Sequence, residues 1–233
     1  MSITADNRLK AIETRYAGCH FRSRLEARWA VVFDHLGVKW EYEPEGFQWE
    51  AQTIIRDTRT RFAHEGQLAG GKYLPDFLLP DLDAWFEVKG PKPTEEDYRL
   101  AGEFSWVQDR THFLAWGQIP DPRNMDAYGY SGDTGPGGGG SRNIEVDGGS
   151  DFDYALCVCP WCDEVGFQYE GRGARIHGYK HHGLTTEQAW EAVRGRGFWR
   201  IDDKCYTAND PKILAAYTAA RSARFEHGES GAT

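Results

Sequence analysis

Positive charge is in short supply in this chain: 27 Lys and Arg stand against 36 Asp and Glu over 233 residues, a formal net charge of −9. A protein that coats nucleic acid or anionic membrane by bulk electrostatics needs the opposite balance. Contact with phosphate must therefore be local. Three stretches offer it, RDTRTR at 56–61, GRGARIHGYKHH at 171–182 and RGRGFWR at 194–200, each of which reads equally well as a solvated face. Long apolar runs are missing too, since no stretch approaches the roughly 18 residues a membrane span needs. The opening MSITADNRLKAIETRY has no apolar core of a secretion signal, so the expectation is a cytoplasmic protein. No solenoid-type repeat occurs. The five cysteines are an odd number, and three crowd into CVCPWC, which in a reducing compartment points to metal before disulfide.

What is present suffices for folding. Hydrophobic residues make up 40% of the chain and aromatics 14%, with nine Trp, a globular and not a disordered composition. The length allows one domain of ordinary size and a small second one. Residues 1–125 are densely patterned, 126–150 include the Gly-rich SGDTGPGGGGSRNIEVDGGS and read as a flexible linker, and 151–233 open on the Cys cluster and close on a helical PKILAAYTAARSARF.

Leu25, Trp29, Val32, Phe33 and Leu36 fall on one face of an amphipathic helix stopped by Gly37. VKWEYEPEGFQWE reads as a strand entering a turn, and QTIIRDTRTRFAHEGQLAGG as a polar, mobile insertion. LPDFLLP and AWFEVKG read as two strands, Thr94 with Asp97 as the start of a second helix, and THFLAWGQIP as a last strand stopped by Pro120. The order helix, strand, strand, strand, helix, strand predicts an α/β (α+β) fold, a mixed sheet with helices on its faces.

Charged residues sit inside two of those strands. Alternation sends Phe86 and Val88 to one face and Trp85, Glu87 and Lys89 to the other, and a hairpin would bring Asp76 beside Glu87. Two desolvated carboxylates at close range cost several kcal/mol unless neutralised. A hard divalent cation with oxygen ligands, Mg²⁺ above all, removes that cost. The bland reading is a Glu87–Lys89 pair on a solvated sheet face, with Asp76 starting a turn.

Pro75-Asp76 followed by Glu87-Val88-Lys89, in this order of elements and behind a helix carrying FRSRLEARWAVVFDHLGVKW, resembles the PD-(D/E)xK, or restriction-endonuclease-like, nuclease superfamily over residues 21–120. It is most similar to its small phage and mobile-element members. The resemblance implies a divalent-metal-dependent endonuclease acting on DNA. Asp76, Glu87 and the Val88 carbonyl would hold Mg²⁺ or Mn²⁺, Lys89 would position the attacking water, and Glu26 on the first helix would be a further metal ligand. Glu26 also fits a capping box with Ser23. A homodimer follows by analogy alone, the substrate is DNA or RNA, and the rival reading is a catalytically silent accessory protein of the same fold.

Cys159-x2-Cys162, then 14 residues, then His177-x3-His181, is close to zinc-finger spacing. The expectation is a structural Zn²⁺ on Cys159, Cys162, His177 and His181. His182 can replace His181, and Cys157 or Cys205 can replace either His. Such a module would grip DNA through Arg172, Arg175 and Lys180 or recruit a protein partner.

Overall fold

The computed structural model describes residues 11–57, 63–130, 144–146, 154–193 and 205–225. Along the chain, strands β1 (Thr14–Tyr16) and β2 (Cys19–Phe21) form a hairpin ahead of helix α1 (Arg24–Leu36). Two short strands follow, β3 (Glu41–Tyr42) and β4 (Phe47–Trp49), then the hairpin of β5 (Gln52–Asp57) and β6 (Ala63–Leu68). Next come β7 (Gly71–Tyr73), β8 (Phe77–Leu79), β9 (Ala84–Lys89), helix α2 (Glu95–Val107) and β10 (Thr111–Trp116). The last elements are β11 (Ile144–Val146), the hairpin of β12 (Tyr154–Val158) and β13 (Val165–Tyr169), and helices α3 (Thr186–Val193) and α4 (Pro211–Ser222).

The architecture is α+β. Its centre is a five-stranded mixed sheet in the order β11-β10-β9-β8-β3. Strands β9 and β10 run parallel, and helix α2 makes the crossover between them, as parallel neighbours require. The other pairs in this sheet are antiparallel. The expected helix-strand-strand-strand-helix-strand order corresponds to α1, β3, β8, β9, α2 and β10.

Both helix ends follow from local chemistry. Ser23 caps α1, its hydroxyl accepting from the Glu26 N–H, and Gly37 closes the helix in the left-handed region at φ 68°. Thr94 and Asp97 form a reciprocal capping box on α2.

Side-chain alternation splits the core across the sheet. Phe77, Leu79, Phe86 and Val88 face α1, where Trp29, Val32 and Phe33 are buried. Trp85 and Leu78 face the other way, into a second cluster with Trp49, Tyr73 and Phe104. The residues expected to share a strand face therefore do so.

Two expectations change. The segment expected as a polar, mobile insertion contains the paired strands β5 and β6, with residues 58–62 outside the described residues. The segment expected as linker contains β11, an edge strand paired to β10, with Ile144 and Val146 buried; residues 131–143 and 147–150 lie outside the described residues. Their Gly content hid a three-residue strand, IEV, too short for a periodicity to show.

The C-terminal stretch also does not keep to itself. Leu156, Val158 and Phe167 of the β12–β13 hairpin, with Ile213 and Tyr217 of α4, belong to the same apolar cluster as α1 and the sheet. Phe167 stacks on Phe86 at 5.4 Å and packs on Phe113 at 4.6 Å, and Tyr217 meets Trp29 edge-on at 6.2 Å. The β12–β13 hairpin and α4 thus share one apolar core with α1 and the sheet. Among the described residues, no helix is long and apolar enough to cross a membrane.

Candidate active site and metal centre

The β8–β9 register pairs Phe77 with Phe86, so one step back along β8 and one forward along β9 place Asp76 opposite Glu87. Both carboxylates are almost fully buried, 2% and 5% exposed. They are laced to each other's backbone: the Val88 N–H donates to Asp76 Oδ2 at 2.7 Å, and the Asp76 N–H to Glu87 Oε2 at 3.3 Å. The sheet itself therefore fixes the pair.

Two cations attend them. Lys89 Nζ lies 2.9 Å from Glu87 Oε1 and 3.3 Å from Asp97 Oδ1, so the acid that caps α2 also holds the lysine. Arg22, just ahead of α1, reaches Asp76 Oδ1 at 2.8 Å and Glu43 Oε1 at 2.6 Å. Burial pushes the Asp76 pKa well above the usual carboxylate range, and the charges of Glu87 and Glu26 push it further, while the Val88 N–H and Arg22 pull the other way. Burial also raises Glu87, against the opposing pull of Lys89. For Lys89, burial works against its charge, but Glu87 and Asp97 outweigh it and raise its pKa.

Glu26 is engaged on both oxygens. Ser23 Oγ donates to Oε1 at 2.6 Å, while Tyr42 Oη and the Arg22 N–H donate to Oε2 at 2.6 and 3.1 Å. It completes the cap, and its charge is also felt at Asp76. Both Glu26 oxygens thus accept from neighbours, Oε1 from Ser23 and Oε2 from Tyr42 on β3 and the Arg22 backbone. Glu26, Asp76 and Glu87 do not form a group whose ligand atoms all lie within 4.8 Å; among the described residues the two such groups are elsewhere.

Tyr73 is buried near the two carboxylates. Burial first, then Glu87 and Asp76, raise its pKa well above the usual phenol value, and its hydroxyl lies 3.3 Å from His112 Nε2. Arg22, Asp97, Tyr73 and Tyr42 were not singled out as site residues from the sequence. Arg22 was within reach of such an argument, lying in the same FRSRLE run as Glu26. Asp97 was legible only as a cap, because its second role depends on α2 starting beside the end of β9. No sequence signal joins Tyr73 to His112, 39 positions apart.

The Cys/His region forms a second centre at the tip of the β12–β13 hairpin. Ligand atoms of Cys159, Cys162 and His182 all lie within 4.8 Å of one another, and so do those of Cys162, Glu164 and His177. His181 belongs to neither group and stacks on His177 with ring centroids 5.2 Å apart. His182, the expected alternative to His181, is the imidazole grouped with Cys159 and Cys162. These residues end a tight 3-10 turn, where neighbouring side chains diverge by about 120° and one step decides which imidazole faces the thiols. Cys157 is buried, with its Sγ 3.3 Å from the Gly166 carbonyl, and Cys205 is buried beside Ala174 and Ala189. Both lie outside the two ligand groups.

Of the expected phosphate contacts, Arg172 is occupied: it pairs with Glu170 at 2.6 Å and lies over the Tyr169 ring at 4.8 Å. Arg175 and Lys180 are exposed. Residues 58–61 of the first basic stretch and all of 194–200 lie outside the described residues.

No protein-family model, curated protein or solved structure matches this chain.

Proposed function

We propose that this chain is a divalent-metal-dependent nuclease that hydrolyses DNA phosphodiester bonds at Asp76, Glu87 and Lys89, as the PD-(D/E)xK resemblance implies. One observation carries the reading: two buried carboxylates on adjacent strands, each hydrogen-bonded to the other strand, with a lysine on one of them. Burial raises both pKa values, and at Asp76 the charge of Glu87 adds to it, a condition that a cation between them would relieve. The donor set fits a hard ion, because Asp76 and Glu87 supply oxygen and the Cys/His centre is separate from them.

Mg²⁺ or Mn²⁺ held by Asp76 and Glu87, with the Val88 carbonyl as an additional oxygen, would polarise the phosphate and lower the pKa of the attacking water. The remaining work falls to the chain. Lys89, aimed by Glu87 and Asp97, holds the water and offsets negative charge that builds on the phosphate in the transition state. Arg22, partly exposed and paired to Asp76, supplies local positive charge beside the carboxylates. This is the short-range phosphate contact that the acidic overall balance demands. Glu26 keeps the start of α1, and with it Arg22, in place.

Supercoiled plasmid incubated with the protein and Mg²⁺ or Mn²⁺ tests the reading, with EDTA and the Lys89→Ala variant as controls. Nicking or linearisation that EDTA and the variant both abolish is expected. Wild-type cleavage by Lys89→Ala, or intact plasmid and intact linear duplex under all metals, refutes it.

A second reading has one observation in its favour. Arg22 and Lys89 already neutralise the two carboxylates, as in a scaffold that keeps a closed ion-pair network for stability and acts only by binding. Such a protein would bind DNA or a protein partner equally well with and without Mg²⁺.

A further inference from the structure

The two ligand groups at the tip of the β12–β13 hairpin share Cys162. An ion beside that sulfur would draw on Cys159 and His182 from one group and on His177 from the other. That gives two thiolates and two imidazoles, the donor set and number of a closed tetrahedral zinc site. We propose that this chain holds one structural Zn²⁺ on Cys159, Cys162, His177 and His182, with Glu164 as a positioning residue for His177.

The local backbone is shaped for it. The Cys159 N–H donates to the Glu164 carbonyl at 2.7 Å and the Asp163 N–H to the Cys159 carbonyl at 2.9 Å, folding Cys159–Glu164 into a tight knuckle. Asp163 takes up the left-handed region at φ 62° to close it. Within the knuckle the N–H groups of Trp161 and Cys162 donate to the Cys159 sulfur. Cys159 and Cys162 are both free, three positions apart, and not joined to each other. Glu164 Oε2 lies 2.6 Å from His177 Nε2, the contact by which a carboxylate fixes the ring and tautomer of a ligating histidine.

The site has a mechanical consequence. The hairpin that carries the knuckle also carries Phe167, which stacks on Phe86 of β9, next in sequence to Glu87. Thr207 ties the same hairpin down, accepting from the Val158 N–H at 3.2 Å and donating to the Val158 carbonyl at 2.5 Å. Zinc at the tip thus clamps one wall of the main core. Loss of the metal is expected to lower the melting temperature of the whole body in one transition, and not to free a separate module.

The inference does not depend on the hydrolytic reading, since metal content is measured without substrate. The test is elemental analysis of the full chain purified without chelator, followed by Co²⁺ replacement. About one zinc per chain is expected, and Co²⁺ should give thiolate charge-transfer bands together with the visible bands of a tetrahedral ion. Cys162→Ser and His182→Ala should lose the metal, His181→Ala should retain it, and Glu164→Gln should weaken it by about 10- to 100-fold. If the first two variants fail to fold, the pair His181→Ala and Glu164→Gln still discriminates. Wild type with well under one zinc and no cobalt spectrum, His181→Ala losing metal, or Glu164→Gln binding as tightly as wild type each overturns the proposal.

Discussion

Replacing Glu87 by Gln should reverse the order of stability of wild type and variant when Mg²⁺ is added. Without metal, wild type holds two buried carboxylates in adjacent positions, relieved by Arg22 at Asp76 and Lys89 at Glu87. A buried side chain altered at a hydrogen bond ordinarily costs about 1 kcal/mol. Here the substitution also removes the repulsion that raises Asp76, and each pKa unit relieved is worth about 1.4 kcal/mol. The metal-free variant should therefore be at least as stable as wild type at pH 8, and more stable where the relief at Asp76 exceeds the loss of the Glu87–Lys89 contact. The pH dependence has a definite sign. Carboxyls whose pKa is raised on folding contribute stability that is present below the ordinary carboxylate pKa of about 4 and lost as pH rises through the folded value. The advantage of Glu87→Gln should therefore grow from pH 5 to pH 8. Adding Mg²⁺ to 100 times its Kd should give wild type about 2.7 kcal/mol and the variant nothing. For a chain of this size that is a rise in melting temperature of about 5–10 °C. Urea unfolding and thermal melts at both pH values, with and without Mg²⁺, supply the assay. Equal Mg²⁺ shifts in both proteins, or none in either, would refute the placement of the ion at this pair.

Lys89→Ala is expected to reduce cleavage at least 100-fold while leaving the far-UV spectrum unchanged, because only Glu87 and Asp97 lose a partner; timed plasmid digestion measures it. Gly173→Ala should be destabilising by about 1–3 kcal/mol in urea, since a Cβ there runs into the Val158 carbonyl and Thr207 Oγ1, where Thr207 is bonded to the β12–β13 hairpin. Phe167→Ala should cost about 3–5 kcal/mol and lower the stability of the whole body, as its ring packs on both Phe86 and Phe113 in the shared core. Burial holds His112 neutral with a pKa lowered to about 3, so its contribution is present above the unfolded pKa of about 6.5 and is lost as pH falls toward the folded value. His112→Gln should accordingly flatten the acid limb of a stability-versus-pH curve relative to wild type.

The sequence determined the periodic parts of this protein. The stripe of Trp29, Val32 and Phe33 with Gly37 after it required helix α1, and the Thr94–Asp97 pair required the start of α2. Strand alternation was enough to put Glu87 and Lys89 on one face and Phe86 and Val88 on the other, because those patterns depend only on backbone geometry. The Cys159-x2-Cys162 knuckle was legible for the same reason, its two thiols being set by one turn. Tertiary structure alone decided what depends on distant segments meeting. It placed Arg22 on Asp76, joined Tyr73 to His112, brought His182 and not His181 beside the two thiols, and made the expected tether contribute β11 to the sheet. It also merged the C-terminal hairpin with the main core through Phe167 and Tyr217. Apolar burial is non-directional, so a sequence shows which residues must be covered but not which segment will cover them.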